Sequence, residues 1–339
     1  MNLIDIKKQV KLFGIIKNEL AFWYNDYIQV GNQAIKTSDN DDYGIWDVVF
    51  VRTRNKIDEF YNLVTRQFEP WQNLRFKYYF YNNIYNSQEY EDGIYRLSYF
   101  NNGIEYILQV KSDVRTGLLD AHYVNNELTF ILSQGGYTPS NLLFYSTTGE
   151  RLWEYKTENP DWKINRMCIP MVDDVVVIIN SYNLMTVSIE GYNIQTGEKL
   201  WVLKDDKHTD IFPCHFNVGD DKMLYACKSH WKNTDRNSKN IELTSINPHN
   251  GEFNRHILKE VDQHTVISPW NTCIYGNKLY YADNRLGCVL GVVDLDKKQI
   301  VDEFNFNLKK GFTMGAPVVT EDKIYQFIRN KKEVWVFDK

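Results

Sequence analysis

The sequence predicts an all-β chain assembled from seven copies of a four-stranded antiparallel unit. Three observations carry that expectation. The phrase Thr148-Gly149-Glu150-Arg151-Leu152-Trp153 returns 48 residues later as Thr196-Gly197-Glu198-Lys199-Leu200-Trp201, with a degraded third copy at Asn250-Gly251-Glu252-Phe253. Polar dipeptides that tolerate positive φ stand before apolar runs at nearly regular intervals. The composition is rich in tyrosine (23) and phenylalanine (18) and poor in proline (8), a balance that favours strands over disorder.

The first hairpin of each unit is marked by a polar turn. Asn82-Asn83, Asn125-Asn126, Asp173-Asp174, Asp220-Asp221, Gly276-Asn277 and Glu321-Asp322 precede apolar runs that begin at Ile84, Leu128, Val175, Met223, Leu279 and Ile324, at intervals of 44, 47, 48, 56 and 45 residues. A second hairpin follows at Asn101-Asn102-Gly103, Thr148-Gly149, Thr196-Gly197, Asn250-Gly251 and Lys297-Lys298. Four strands in a repeat of this length match one blade of a β-propeller. Six internal blades are centred near residues 26, 82, 126, 174, 221 and 277, and a seventh at the end of the chain lacks its fourth strand. The strand-like segment Gln9–Ile15 is expected to fill that gap, because an open ring would expose sheet edges. The chain then reads as a single domain over residues 1–339, with 1–16 closing the last blade and 17–339 forming blades one to seven.

Pro170, Pro213, Pro269 and Pro317 stand where first strands are expected to begin, a position at which no ladder donor is lost. Ile57, Phe60, Tyr61, Val64 and Phe68 also fit a helical stripe, so residues 57–68 are either a strand or a short helix.

The formal net charge of −5, from 39 basic and 44 acidic residues, argues against a general binder of nucleic acid or anionic membranes. The first residues, Met1-Asn2-Leu3-Ile4-Asp5-Ile6-Lys7-Lys8, do not have the layout of a secretory signal, and no apolar run is long enough for a transmembrane helix. Five widely spaced cysteines, none in C-x-x-C spacing, point to buried thiols in a reducing compartment. A cytoplasmic protein is expected.

The phrase Thr-Gly-Glu-x-Leu-Trp, preceded by a strand such as Tyr192-Asn193-Ile194-Gln195, resembles the repeat of pyrroloquinoline-quinone-type (quinoprotein-like), WD-like β-propellers. The resemblance implies that Trp153 and Trp201 dock blade against blade. It is strong in two units and weaker in two more, where Phe253 or Asn254 and Ile300 or Val301 stand in place of the expected residues, and it rests on residues 118–339. These glycines and tryptophans are architectural and are not an active site.

Quinoprotein dehydrogenases of similar repeat type are mostly exported, carry a calcium-ligating Glu, Asn and Asp, and often have a vicinal disulfide. This chain has no adjacent cysteines and no catalytic constellation, so neither catalysis nor a quinone or other cofactor is expected. His208, His215, His230 and His264 cluster in the second half with Cys214 and Cys227, but none has metal-ligand spacing, and no metal is expected. No G-x-S-x-G or phosphate loop is present.

Binding has more support. In a propeller, the loops joining second to third strands and those joining one blade to the next share a face. Here that face would carry Tyr137, Trp162, Tyr182, His208, His230, Trp231, Arg236, His264, Trp270 and Arg285, with His230, Trp231 and Arg236 on a 13-residue loop, Lys228–Asn240. Aromatic, arginine and histidine side chains of this kind resemble interface hot spots, although some of the tryptophans would equally cap the core at the loop bases. The expectation is a non-catalytic binding module with one protein partner, no direct nucleic-acid contact and no membrane. Its sharpest form is a bacterial immunity protein that occludes a basic toxin. The alternatives are a quinoprotein-like or sugar-binding propeller enzyme, or a scaffold subunit of a larger complex.

Overall fold

The structure is a computed structural model of the chain. It describes residues 1–16, 19–24, 26–37, 42–46, 49–54, 57–62, 67–70, 89–91, 94–101, 104–111, 116–124, 127–134, 139–165, 168–183, 185–205, 211–232, 237–283, 288–308 and 314–339. These residues form short antiparallel strands, with one turn of 3-10 helix at Arg329–Lys331. They group into two compact units, a first of Leu12–Arg166 with Asn193–Glu198, and a second of Met1–Lys11, Met167–Tyr192 and Lys199–Lys339.

The chain opens with β1 (Asn2–Lys7), which belongs to the last sheet. Two sheets follow in the first unit: β2 (Leu12–Ile16), β3 (Glu19–Trp23), β4 (Tyr27–Val30) and β5 (Gln33–Lys36), then β6 (Asp42–Trp46), β7 (Val49–Arg54), β8 (Ile57–Asn62) and β9 (Gln67–Pro70). The third has β10 (Glu89–Glu91), β11 (Ile94–Asn101) and β12 (Ile104–Lys111). The fourth has β13 (Thr116–Val124), β14 (Glu127–Gln134), β15 (Asn141–Ser146) and β16 (Arg151–Lys156), and the two-residue β17 (Lys163–Ile164) comes after it.

In the second unit, β18 (Met171–Val172) pairs with β19 (Val175–Tyr182), followed by β20 (Met185–Asn193) and β21 (Lys199–Lys204). Next come β22 (Asn217–Val218), β23 (Leu224–Trp231), β24 (Ser238–Ile246) and β25 (Phe253–Asp262), and then β26 (Ile267–Tyr275), β27 (Lys278–Asp283), β28 (Val289–Asp294) and β29 (Gln299–Asn305). The final sheet is β30 (Val318–Val319), β31 (Lys323–Ile328) and β32 (Glu333–Asp338), with β1 on its outer edge.

The described residues thus fall in eight sheets, one more than the seven units that the spacing predicts. The difference lies in residues 12–70, where the sequence predicts one blade starting at residue 17, with 12–16 in the closing strand, and the structure has two sheets of four- to six-residue strands. Their repeat is shorter than the spacing set by the later units, and they lack the Thr-Gly turn. The ambiguous segment is strand: Phe60 pairs with Val51 and with Glu69.

The last sheet also corrects an expectation. Asn2–Lys7 pairs with β32, Leu3 opposite Phe337 and Ile6 opposite Trp335, whereas the segment proposed for that place, Gln9–Ile15, supplies most of β2. The chain turns between the two strands, with Gln9 at φ 62 and the Val10 N–H donating to the Lys332 carbonyl. Leu3 and Ile4 are exposed, so β1 has the weaker apolar pattern of the two and is the less visible in sequence.

Alternation explains how the sheets stack. Middle strands such as β19, β20, β24 and β28 are buried almost end to end, while the fourth strands β25 and β29 alternate between exposed and half-buried. A strand with both faces covered reads as a continuous apolar run. In β23, Leu224 and Ala226 pack with Val177, Ile179 and Ile189 of the preceding sheet, while Tyr225 and Cys227 pack with Leu279, Tyr281 and Val293 of the following one. In β27, Tyr280 and Ala282 turn toward Ile324, Ile328 and Phe337 of the final sheet. In the first unit, Leu108 and Val110 pack on Leu128, Phe130 and Leu143.

The repeated Thr-Gly turn is a latch. Gly149, Gly197 and Gly251 have φ of 83, 72 and 73, which closes the last hairpin of each sheet. A bulge follows, skipping Leu152 and Leu200, and brings the tryptophan back into the ladder opposite Phe144 or Gly191. The Trp201 indole donates to the Pro248 carbonyl at 2.6 Å and lies against Gly251, where an added Cβ would come within 2.7 Å of the ring. Trp153 repeats the arrangement: it stacks on Phe144 at 3.8 Å, donates to the Ile194 carbonyl at 2.7 Å and covers Gly197. Each latch joins a sheet's last strand to the turn of the next repeat. Lys298 holds the equivalent left-handed conformation at φ 53 without a glycine.

Buried carboxylates add polar register marks. Glu190, fully buried, accepts from Asn180, Ser188 and Tyr192 and pairs with Lys199 at 3.0 Å. Glu242, 3% exposed, is held by the Arg255 guanidinium at 2.8 and 2.7 Å. Breaking such a pair leaves an uncompensated charge, which is the expensive case.

Two stability predictions follow from these contacts. Gly251→Ala meets both a positive φ and the Trp201 ring, whereas Gly276→Ala meets a φ of 58 with open space around it. G276A is expected to lose about 1 kcal/mol and G251A roughly 2–5 kcal/mol in urea unfolding, and equal losses would show that room for the indole is not the constraint. Arg255→Met is expected to lose about 2–3 kcal/mol, reduced by the guanidinium's partial exposure. The Glu242→Met/Arg255→Met double variant should recover part of that loss, and additive losses would show that the pair is not coupled.

Candidate binding surface

The surface builds on the β23–β24 hairpin. Its ladder runs further than a 13-residue loop at Lys228–Asn240 allows: His230 pairs with Asn240 and Trp231 with Lys239. His230 and Trp231 are therefore strand residues. Polar side chains can continue a strand here because lysine stems lie along apolar surface while their heads reach carbonyls.

Lys239, 8% exposed, places its Nζ 4.3 Å from the Trp231 ring centre and donates to the Thr265 carbonyl at 2.8 Å. The Ser229 hydroxyl donates to the same carbonyl and accepts from the Ile267 N–H. The hairpin end is thereby tied to the turn bearing His264, an exposed residue whose backbone N–H donates to the Asp262 carboxylate at 2.6 Å. His230 sits 3.9 Å from Glu242, on the buried side of the hairpin. Lys232 pairs with Glu260 at 2.6 Å and holds that carboxyl below its ordinary range.

Trp270 lies within β26, not on a loop between sheets. Ile267 faces Asp283 and Thr272 faces Tyr281, so the four residues Ser268–Asn271 oppose Ala282 alone. This wide irregularity turns the indole outward, leaving Trp270 38% exposed. The His215 imidazole packs against it with ring centres 4.4 Å apart and planes tilted by 31°, and the neighbouring Asn217 side chain donates to Thr272 at 2.7 Å. Burial pushes the His215 pKa down to about 4, so the ring is neutral at pH 7.

The structure thus brings Trp231, His230 and His264 to one end of the β22–β25 sheet. Tyr182 is the half-buried last residue of β19. Trp162 is half-buried in a turn of the first unit, its N–H donating to the Asn159 carbonyl. Tyr137, His208, Arg236 and Arg285 lie outside the described residues. Lys239 and the pairing of His215 with Trp270 went unrecognised in the sequence. The signal for the latter was available, because the two residues stand about one repeat apart, as do the bonded Asn217 and Thr272.

Among the described residues no group of three or more His, Cys, Asp or Glu is arranged to hold a metal ion. No described helix is long and apolar enough to cross a membrane. Cys168, Cys227 and Cys288 are buried and Cys214 and Cys273 half-buried, and burial pushes the Cys168 and Cys273 thiols up to about 12.

No protein-family model matches the chain, and no curated protein matches its sequence. Solved structures do. BamB from Moraxella catarrhalis is similar over 99% of this chain and 99% of its own, at 13% identity and a TM-score of 0.53. Sqt1 from Saccharomyces cerevisiae is similar over 99% of this chain and 98% of its own, at 9% identity and a TM-score of 0.55. Both are β-propellers, and at these identities the likeness concerns the fold. With its succession of four-stranded antiparallel sheets, the chain has the β-propeller fold.

Proposed function

We propose that this chain is a protein-binding β-propeller, acting without catalysis in a reducing compartment, and that it holds one partner at the end of the β22–β25 sheet. The observation that carries this reading is the tie between Trp231, Lys239 and Thr265. It fixes an aromatic ring and a cationic head beside the exposed His264 turn. Interface hot spots favour aromatic and basic anchors whose rotamers are already set, since less entropy is lost on binding.

The narrower reading is an immunity protein that occludes a toxin. The net charge of −5 supports a basic partner, whose encounter it would accelerate. Co-expression with the product of a neighbouring toxin-like gene tests this form: restored growth supports it, and unrelieved toxicity refutes it.

The broader reading is tested with purified chain as bait. A stoichiometric complex with one protein is expected, weakened ten-fold or more by Trp231→Ala with an unchanged unfolding midpoint. Several unrelated partners of equal affinity would favour a scaffold subunit, and undiminished binding by W231A would move the contact elsewhere.

A further inference from the structure

We propose that Trp270, backed by His215, is a seat for an arginine guanidinium of the protein partner; the proposal rests on the protein-binding reading above. Trp153 and Trp201 are committed to latches, the Trp335 indole donates to Glu333, and the Trp231 ring already holds the Lys239 ammonium of its own hairpin. Trp270 is different. Its indole N–H makes no hydrogen bond among the described residues, and Trp270 is the exposed one among the tryptophans whose side chains are described.

The seat is built, not incidental. Pro269 is buried at its base, and its carbonyl accepts from the Thr272 hydroxyl at 2.6 Å. That hydroxyl in turn accepts from Asn217, which fixes β22, two residues after His215, against β26. The indole thereby has the tilted imidazole against it, and the rest of its surface is left to solvent.

The chemistry of that surface favours a flat cation. An indole face attracts positive charge through its quadrupole, and guanidinium stacks on aromatic rings with little loss of hydration. The backing imidazole is neutral, so it does not repel a cation. Asp283, 3% exposed, lies opposite Ile267 where the bulge begins and accepts the Val266 N–H at 3.0 Å. The chain as a whole is acidic. An aliphatic side chain would gain only apolar burial against the ring, and an acidic one would meet the indole face with the wrong sign of charge.

The test uses the full chain carrying ¹⁵N-labelled tryptophan, with the Trp270 indole resonance assigned through Trp270→Phe. N-acetyl-arginine amide is the probe, with N-acetyl-leucine amide and N-acetyl-glutamate amide as controls. A saturable shift of the Trp270 resonance with the arginine probe is expected, at least several-fold larger than for the other indoles or with either control, and His215→Ala should weaken it several-fold. No saturable shift, or an equal one with the leucine probe, overturns the proposal. The partner assay separates the two readings. A partner captured equally by wild type and Trp270→Ala overturns the seat and leaves the protein-binding reading standing. Saturable arginine binding at Trp270 in a chain that captures no protein supports the seat and overturns the protein-binding reading.

Discussion

The contact on which the repeats depend is a tryptophan lying on a glycine. At Gly197 and Gly251 the backbone must be left-handed to close a hairpin, and the same Cα must be bare so that Trp153 or Trp201 can cover it. Either demand alone would admit other residues: asparagine tolerates the conformation, and alanine is small. Together they leave glycine. The indole also returns a hydrogen bond to the turn it covers, so the geometry of one repeat's turn is set by the preceding repeat's last strand. Where the sequence departs from the phrase, other groups take over. Arg255, four residues after Gly251, clamps the buried Glu242, and Lys298 adopts the left-handed turn with a side chain in place.

This coupling explains what was legible in the sequence. A turn that needs both a special conformation and a close neighbour writes itself as a fixed phrase, and the units carrying the phrase could be counted. Residues 12–70 have neither the phrase nor the spacing, and their two sheets merged into one expected blade. The same reasoning covers β1. Leu3 and Ile4 face solvent, so Asn2–Lys7 lacks the pattern of a buried strand, and the more apolar stretch after it was the better candidate on composition alone.

The candidate surface was legible in composition but not in placement. His230, Trp231 and Trp270 are expected on loops because polar and large aromatic residues interrupt the apolar runs, yet all three lie in strands. The ladder continues through His230 and Trp231 because lysine stems pack like aliphatic chains, and it tolerates Trp270 because a bulge absorbs four residues against one. Neither device has a local signature. The His215–Trp270 contact is visible when successive repeats are aligned, since the two residues, like the bonded Asn217 and Thr272, stand one repeat apart.

The pairing of β1 with β32 has a consequence for how the molecule matures. The ladder that completes the final sheet joins Asn2–Lys7 to Val334–Asp338, far apart in the sequence. Contacts at such separation carry a high loop-closure cost and form late. Until β1 docks, β32 has an open edge. A second molecule at the same stage offers an identical strand. Exchange of that strand between two copies would satisfy the same backbone bonds, so closure within one chain competes with encounter between two.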